Sequence, residues 1–138
     1  MSVGQYAWHV HHDRLVEVLT ESIEARQEYI RFTKPQDEIA TRLRLLKPVV
    51  GELPAAVIDA GRAVTETWGA YIEARRADVK GRAYVEAMRA YAKARLAYGQ
   101  VLRTHASEPN SELNTLHAQE CPDCPWDGRS ILGNTQGG

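Results

Sequence analysis

The chain has 138 residues, a formal net charge of −1, 43% hydrophobic and 25% charged residues, which is ordinary usage for one globular domain and gives no bulk attraction to polyanions. Its opening, Met1-Ser2-Val3-Gly4-Gln5, lacks the basic stretch and apolar run of a secretory signal, and no apolar window of about 18 residues is available to span a membrane. A cytoplasmic protein with no membrane contact is expected, and a single Phe together with many alanines predicts a thin core.

In chain order, Leu15, Val16, Leu19, Ile23 and Ile30 recur at helical spacing among charged residues, predicting an amphipathic helix over 13–32. Thr33-Lys34-Pro35-Gln36-Asp37-Glu38 then joins a capping residue, a first-turn proline and acidic residues suited to the positive end of the helix dipole. A second helix is expected over 35–47, stopped by Pro48. The connector Pro48-Val49-Val50-Gly51-Glu52-Leu53-Pro54 leads into residues 55–106. There Ala63, Ala70 and Ala77 lie seven apart, and Ala83, Ala90 and Ala97 resume that spacing after a step of six.

This heptad repeat predicts one long helix over 55–106, with Gly81 marking the place where a kink or hairpin would fall instead. Its expected interaction seam is Ala83, Tyr84, Ala87, Ala90, Tyr91, Ala94, Ala97 and Tyr98, small residues that allow close helix approach with tyrosine rings over the join. The partner is a shorter helix of the same chain, packed antiparallel, or another protein, or a second copy in a homo-oligomer. Between Arg62 and Arg103 there are nine basic and four acidic residues. Spread around a helix, these read as a solvated face, so nucleic acid is not the expected partner. Plain core packing is expected of Trp68.

A last short helix is expected over 111–120, opening at Ser111, with Leu113 and Leu116 facing inward. It runs into a knuckle over 117–128, where His117 precedes the pair Cys121-Pro122-Asp123-Cys124. Two thiolates two residues apart can face one metal from a tight turn, and His117 lies about one helical turn before Cys121. A thiol pair of this kind supplies only half of a zinc site. The remaining ligands are sought at the other end, where His9, His11 and His12 form the one dense histidine cluster. A zinc ion held by Cys121, Cys124 and two histidines would staple the chain ends together. The competing structural reading has the histidines capping the first helix and the cysteines as small buried side chains. A redox dithiol fits poorly, because Pro125 and Asp127-Gly128 place the pair in a loop rather than at the start of a helix after a strand.

The ends Trp8-His9-Val10-His11-His12-Asp13 and Glu120-Cys121-Pro122-Asp123-Cys124-Pro125-Trp126-Asp127-Gly128, bracketing the Ala-Tyr repeat, resemble a group of uncharacterised small phage and bacterial proteins. The resemblance implies that the two terminal motifs belong together; it implies no activity. Val10-His11-His12-Asp13 also resembles the histidine pair of His-Asn-His nucleases, without the following Asn and His of that fold, and His12-Asp13 the doublet of the helical HD phosphohydrolases, without the upstream His. Glu-x-x-His pairs for a carboxylate-bridged di-metal site are absent from the sequence.

The reading is an all-α single domain over 1–132 with a disordered tail over 133–138. In it the long Ala/Tyr helix packs antiparallel on shorter helices beside a C-terminal Cys/His knuckle, and the chain serves as a non-enzymatic structural or protein-interaction module. The alternative is a zinc-dependent nuclease or nucleic-acid binder using His9–His12 and the basic face of residues 62–103.

Overall fold

A computed structural model describes residues 4–77 and 80–132; the expected tail over 133–138 and the Asp78-Val79 step lie outside them. The architecture is mainly helical with one small sheet. The order is β1 (Tyr6–Trp8), β2 (Val16–Val18), α1 (Ile23–Thr33), α2 (Gln36–Leu45), β3 (Lys47–Pro48), α3 (Ala55–Ala77), α4 (Arg82–Ala106) and α5 (Glu112–Glu120). No described helix is long and apolar enough to cross a membrane.

The three strands correct the expected helix over 13–32. β1 lies between the other two in an antiparallel sheet of order β2-β1-β3, with Trp8 opposite both Val16 and Lys47. Val16-Glu17-Val18 alternates with period two, and β-branched residues favour a pleated surface when a partner strand is at hand. The apolar positions at 15, 16 and 19 fit either period, so pairing with Tyr6-Ala7-Trp8 decides. The helix starts only at Ile23, where the Ser22 hydroxyl accepts from the Ala25 amide at 3.0 Å. Helix α2 ends at Leu45, two residues before the expected limit, because Lys47 and Pro48 join the sheet edge.

Side-chain alternation along β1 divides the core. Trp8 joins Val16, Val57, Val64, Leu102 and Leu113 on the face toward α3, α4 and α5, while Ala7 joins Leu19, Ile30 and Leu46 on the face toward α1 and α2. Two arginines are buried with partners: Arg26 Nε donates to the Val10 carbonyl at 3.1 Å, and Arg42 pairs with Glu38 one turn earlier at 2.8 Å. Gly61 lets the sheet approach α3, since a Cβ there would collide with the hydroxyl of Tyr6, which donates to the Ile58 carbonyl at 3.2 Å.

The expected single helix over 55–106 is two helices. Gly81 caps α4 in an extended conformation (φ −80°, ψ 167°), and α4 folds back along α3 as an antiparallel hairpin. Aromatic side chains close the join: Trp68 meets Tyr91 at 5.3 Å between ring centroids, Tyr71 meets Tyr84 at 5.5 Å, and Tyr71 stacks on Tyr91 at 5.9 Å with planes 12° apart. The chain thus reverses between Ala77, where α3 ends, and Arg82, where α4 begins. The seam is also turned from the expected one. Tyr84, Ala87, Tyr91, Ala94 and Tyr98 are buried or half-buried, whereas Ala83, Ala90 and Ala97 are exposed. Tyr98, the most buried of these, donates its hydroxyl to the Val16 carbonyl at 2.9 Å and so ties α4 to the sheet. Trp68 is half-buried and packs on Tyr71 and Tyr91.

Candidate metal centre

The loop between β1 and β2 carries the N-terminal histidines, and the end of α5 with its following turn carries His117 and the two cysteines. His9 directly follows the strand residue Trp8. It adopts φ 53°, the one positive φ among the described non-glycine residues, and it is 1% exposed. A left-handed backbone is uncommon outside glycine, although histidine is among the residues that tolerate it best, and it persists where surrounding structure enforces it. Here the His9 amide donates to the Leu15 carbonyl at 3.0 Å and its ring Nδ1 bonds the Arg14 carbonyl at 3.1 Å. With Nδ1 carrying the proton for that carbonyl, Nε2 is left with a free lone pair pointing away from the loop.

The C-terminal half of the centre follows from how α5 ends. The Cys121 amide closes the last helical turn onto the His117 carbonyl at 2.8 Å, and the Cys124 amide then bonds the Cys121 carbonyl at 3.2 Å. This tight turn brings both thiols to one side. The loop and the turn meet: His9 Nε2 lies 3.1 Å from His117 Nε2 and 3.0 Å from Cys124 Sγ. One donor atom from each of His9, His117, Cys121 and Cys124 lies within 4.8 Å of all the others. A tetrahedral ion with Zn–N near 2.05 Å and Zn–S near 2.3 Å needs ligand separations of about 3.3–3.8 Å. The observed set brackets those values. The four residues therefore form a His2Cys2 cluster able to bind a metal ion, and it joins the N- and C-terminal regions of the chain.

Electrostatics favours neutral imidazoles in this cluster. Burial pushes the His9 pKa down to about 4, with His117 and Lys47 adding to the effect against the Arg14 hydrogen bond. Burial and Lys47 likewise hold His117 below the usual histidine range. Burial together with the neighbouring Cys124 raises the Cys121 thiol to about 12, so without a cation that sulfur keeps its proton. Coordination must expel it, because only a thiolate ligates.

The surroundings orient these ligands. The Trp8 ring lies 5.1 Å from that of His117, and Trp126 lies 5.4 Å from His9, so each tryptophan covers one imidazole. Glu120, beside Cys121, accepts from Trp8 Nε1 and the Val50 amide, both at 2.9 Å, and from the Gly51 amide at 2.6 Å. Desolvation acts to raise its pKa, but the three hydrogen bonds and Lys47 outweigh it and hold the carboxyl below its ordinary value. Lys47 Nζ donates to the Glu120 carbonyl at 3.0 Å. The second strand partner of β1 is thus locked to the end of α5.

His11 and His12 point elsewhere. His11 Nδ1 pairs with Glu17 at 2.6 Å, and His12 Nδ1 bonds the Ser130 hydroxyl at 3.0 Å while its carbonyl accepts from the Ile131 amide. His12 thereby closes the C-terminal segment over the loop. Sequence reasoning gave no part to Glu120 or to the Arg14 carbonyl. Adjacency to Cys121 was the only signal for the first, and none existed for the second, a main-chain group selected by the fold. No family model, curated protein or solved structure matches this chain.

Proposed function

We propose that His9, His117, Cys121 and Cys124 hold one zinc ion as a structural staple, and that the protein is a non-enzymatic helical module acting through protein contacts. The carrying observation is the convergence of four protein donors from opposite ends of the chain. Two imidazoles and two thiolates complete a tetrahedral shell with no position left for water or substrate, which is the pattern of structural rather than catalytic zinc. Mixed N and S donors favour zinc over the hard cations, which prefer oxygen.

Burial agrees with that role, since His9 and Cys121 are 1% and 3% exposed. A small sheet of three short strands gains stability from a covalent-like tie between β1 and α5. The partner surface in this reading is the outward row of α4, Ala83, Ala90 and Ala97, which the hairpin leaves exposed and whose small side chains admit a second helix, from another protein or a second copy.

Elemental analysis of untagged protein purified without chelator tests the reading, together with melts before and after chelation. One zinc per chain and a large fall in melting temperature on chelation are expected. An unaltered melt with no metal would overturn it.

A further inference from the structure

Away from the metal cluster, an arginine row occupies the C-terminal half of α4. Arg95, Gly99 and Arg103 recur at four-residue spacing and so share one helix face. Arg14, from the β1–β2 loop, is laid over the same face. A side chain at Gly99 would come within 3.3 Å of Arg14 Nη1 and 3.5 Å of Arg103 Nη1, so two guanidinium groups reach toward one point that the glycine keeps open. The groove there, about 250 Å³, is lined by all three arginines with Ala92, Leu96 and Gly99, and by no carboxylate. Among the described residues none of the three has an ion-pair partner. Arg95 instead lies over the Tyr91 ring at 5.6 Å.

Guanidinium groups gathered without an ion-pair partner repel one another, even with Asp13 lining the adjoining pocket beside Arg14 and Arg103, and they are the side chains best matched to phosphate. The groove adjoins a cavity of about 270 Å³ that shares Arg14 and Arg95 and is walled by Trp68, Tyr91 and Tyr98. Glu17, which bonds His11, and Glu21 also line this cavity, so the anionic end of a ligand is confined to the groove. An aromatic wall, in which the Trp68 and Tyr91 rings meet at 52°, beside a basic row suits a ligand with a π-face at one end and phosphate at the other. Eight residues of helix separate Arg95 from Arg103, about 12 Å, which is longer than one phosphate group.

We infer that this face binds a nucleoside phosphate, free or within a single strand, with the base against Trp68 and the phosphates on Arg14, Arg95 and Arg103. The net charge of −1 hides the site because its charge is local. Arg14 comes from outside the basic stretch over 62–103, and Glu66, Glu73 and Glu86 line neither the groove nor the cavity. None of the phosphate-facing groups is a metal ligand, so the inference stands apart from the zinc reading.

The probe is a short fluorescein-labelled oligothymidylate, with thymidine monophosphate as competitor. Binding should weaken with salt at a log–log slope of about −2, three contacts at about 0.7 each. R95E and R103E should each cost about tenfold or more in affinity, with helical content unchanged because both side chains are exposed. R75E, the same charge change near the far end of the hairpin, should leave affinity close to wild type. Quenching of tryptophan fluorescence on binding should be lost in Trp68→Phe. Displacement by the mononucleotide at comparable concentration would make the free nucleotide the ligand, and its failure to displace would make the ligand a strand; either result supports the site. Absence of binding at low salt, or an R75E effect as large as that of R103E, would overturn it.

Discussion

The two ends of the helical hairpin are built in opposite ways. Near the loop joining α3 to α4, the contacts are tyrosine and tryptophan rings laid over alanines, with half-buried side chains and few long-range hydrogen bonds. At the other end, Trp8, His9, Tyr98, His117 and Glu120 sit in a buried to half-buried network in which most polar atoms bond residues far away in sequence. Area-driven packing tolerates small losses, whereas a buried polar network leaves unsatisfied groups when one member goes. Damage should therefore be global at the metal end and local at the tyrosine end.

The largest expected effect comes from Cys121→Ser or from chelation. Losing a structural zinc removes several kcal/mol, which for a chain of this size lowers Tm by roughly 10–20 °C; thermal melts by circular dichroism would show it. Acid should come next. Burial holds His9 at about 4 against an ordinary value of 6.5, so below pH 6.5 the unfolded chain takes up the proton before the folded one. Stability is then lost as pH falls from 6.5 toward 4, by about 3 kcal/mol from this group. Protons competing for the ligands make the loss steeper when zinc is bound. A melting temperature that stays flat from neutral pH down to about pH 5 would contradict this.

Glu120→Gln keeps the shape but sets an amide among three donors, and should cost about 1–3 kcal/mol, read as a shift in urea midpoint at unchanged slope. The smallest effect belongs to the other end. Tyr71→Ala removes contacts with Trp68, Tyr84 and Tyr91 and should cost about 1–2 kcal/mol. Hydrogen exchange should quicken in the C-terminal half of α3 and hardly at all around β1. A global loss from Tyr71→Ala equal to that from Cys121→Ser would dissolve the contrast.

The same contrast explains what could be read in advance. Spacing in the sequence showed a mainly helical chain, the proline that opens α2, the serine that opens α5, and two terminal motifs that the fold does bring together, but not where the first helix begins or that the long repeat is two helices. The six-residue step marked the place in the repeat, but Gly81 in extended form is one of several outcomes open to a glycine. The strands stayed hidden because Tyr6–Trp8 and Val16–Val18 are three residues each and only their mutual register gives them meaning. That register also decides which histidine of the His9, His11, His12 group faces the cysteines. His9 does so through a left-handed backbone set by main-chain bonds to Leu15 and Arg14, and no residue type signals those. Which row the intrachain hairpin covers was hidden for a related reason: with Ala and Tyr adjacent, a rotation of about 100° exchanges the covered row for the exposed one.

The most direct test of the four-donor centre is the absorption spectrum of protein loaded with cobalt(II) in place of zinc. Intense visible bands of a tetrahedral ion, with thiolate charge-transfer absorption that falls in Cys121→Ser and Cys124→Ser and changes in His9→Ala, are the expected result. A weak octahedral spectrum, or one indifferent to His9 and Cys121, would contradict the staple on which the account depends.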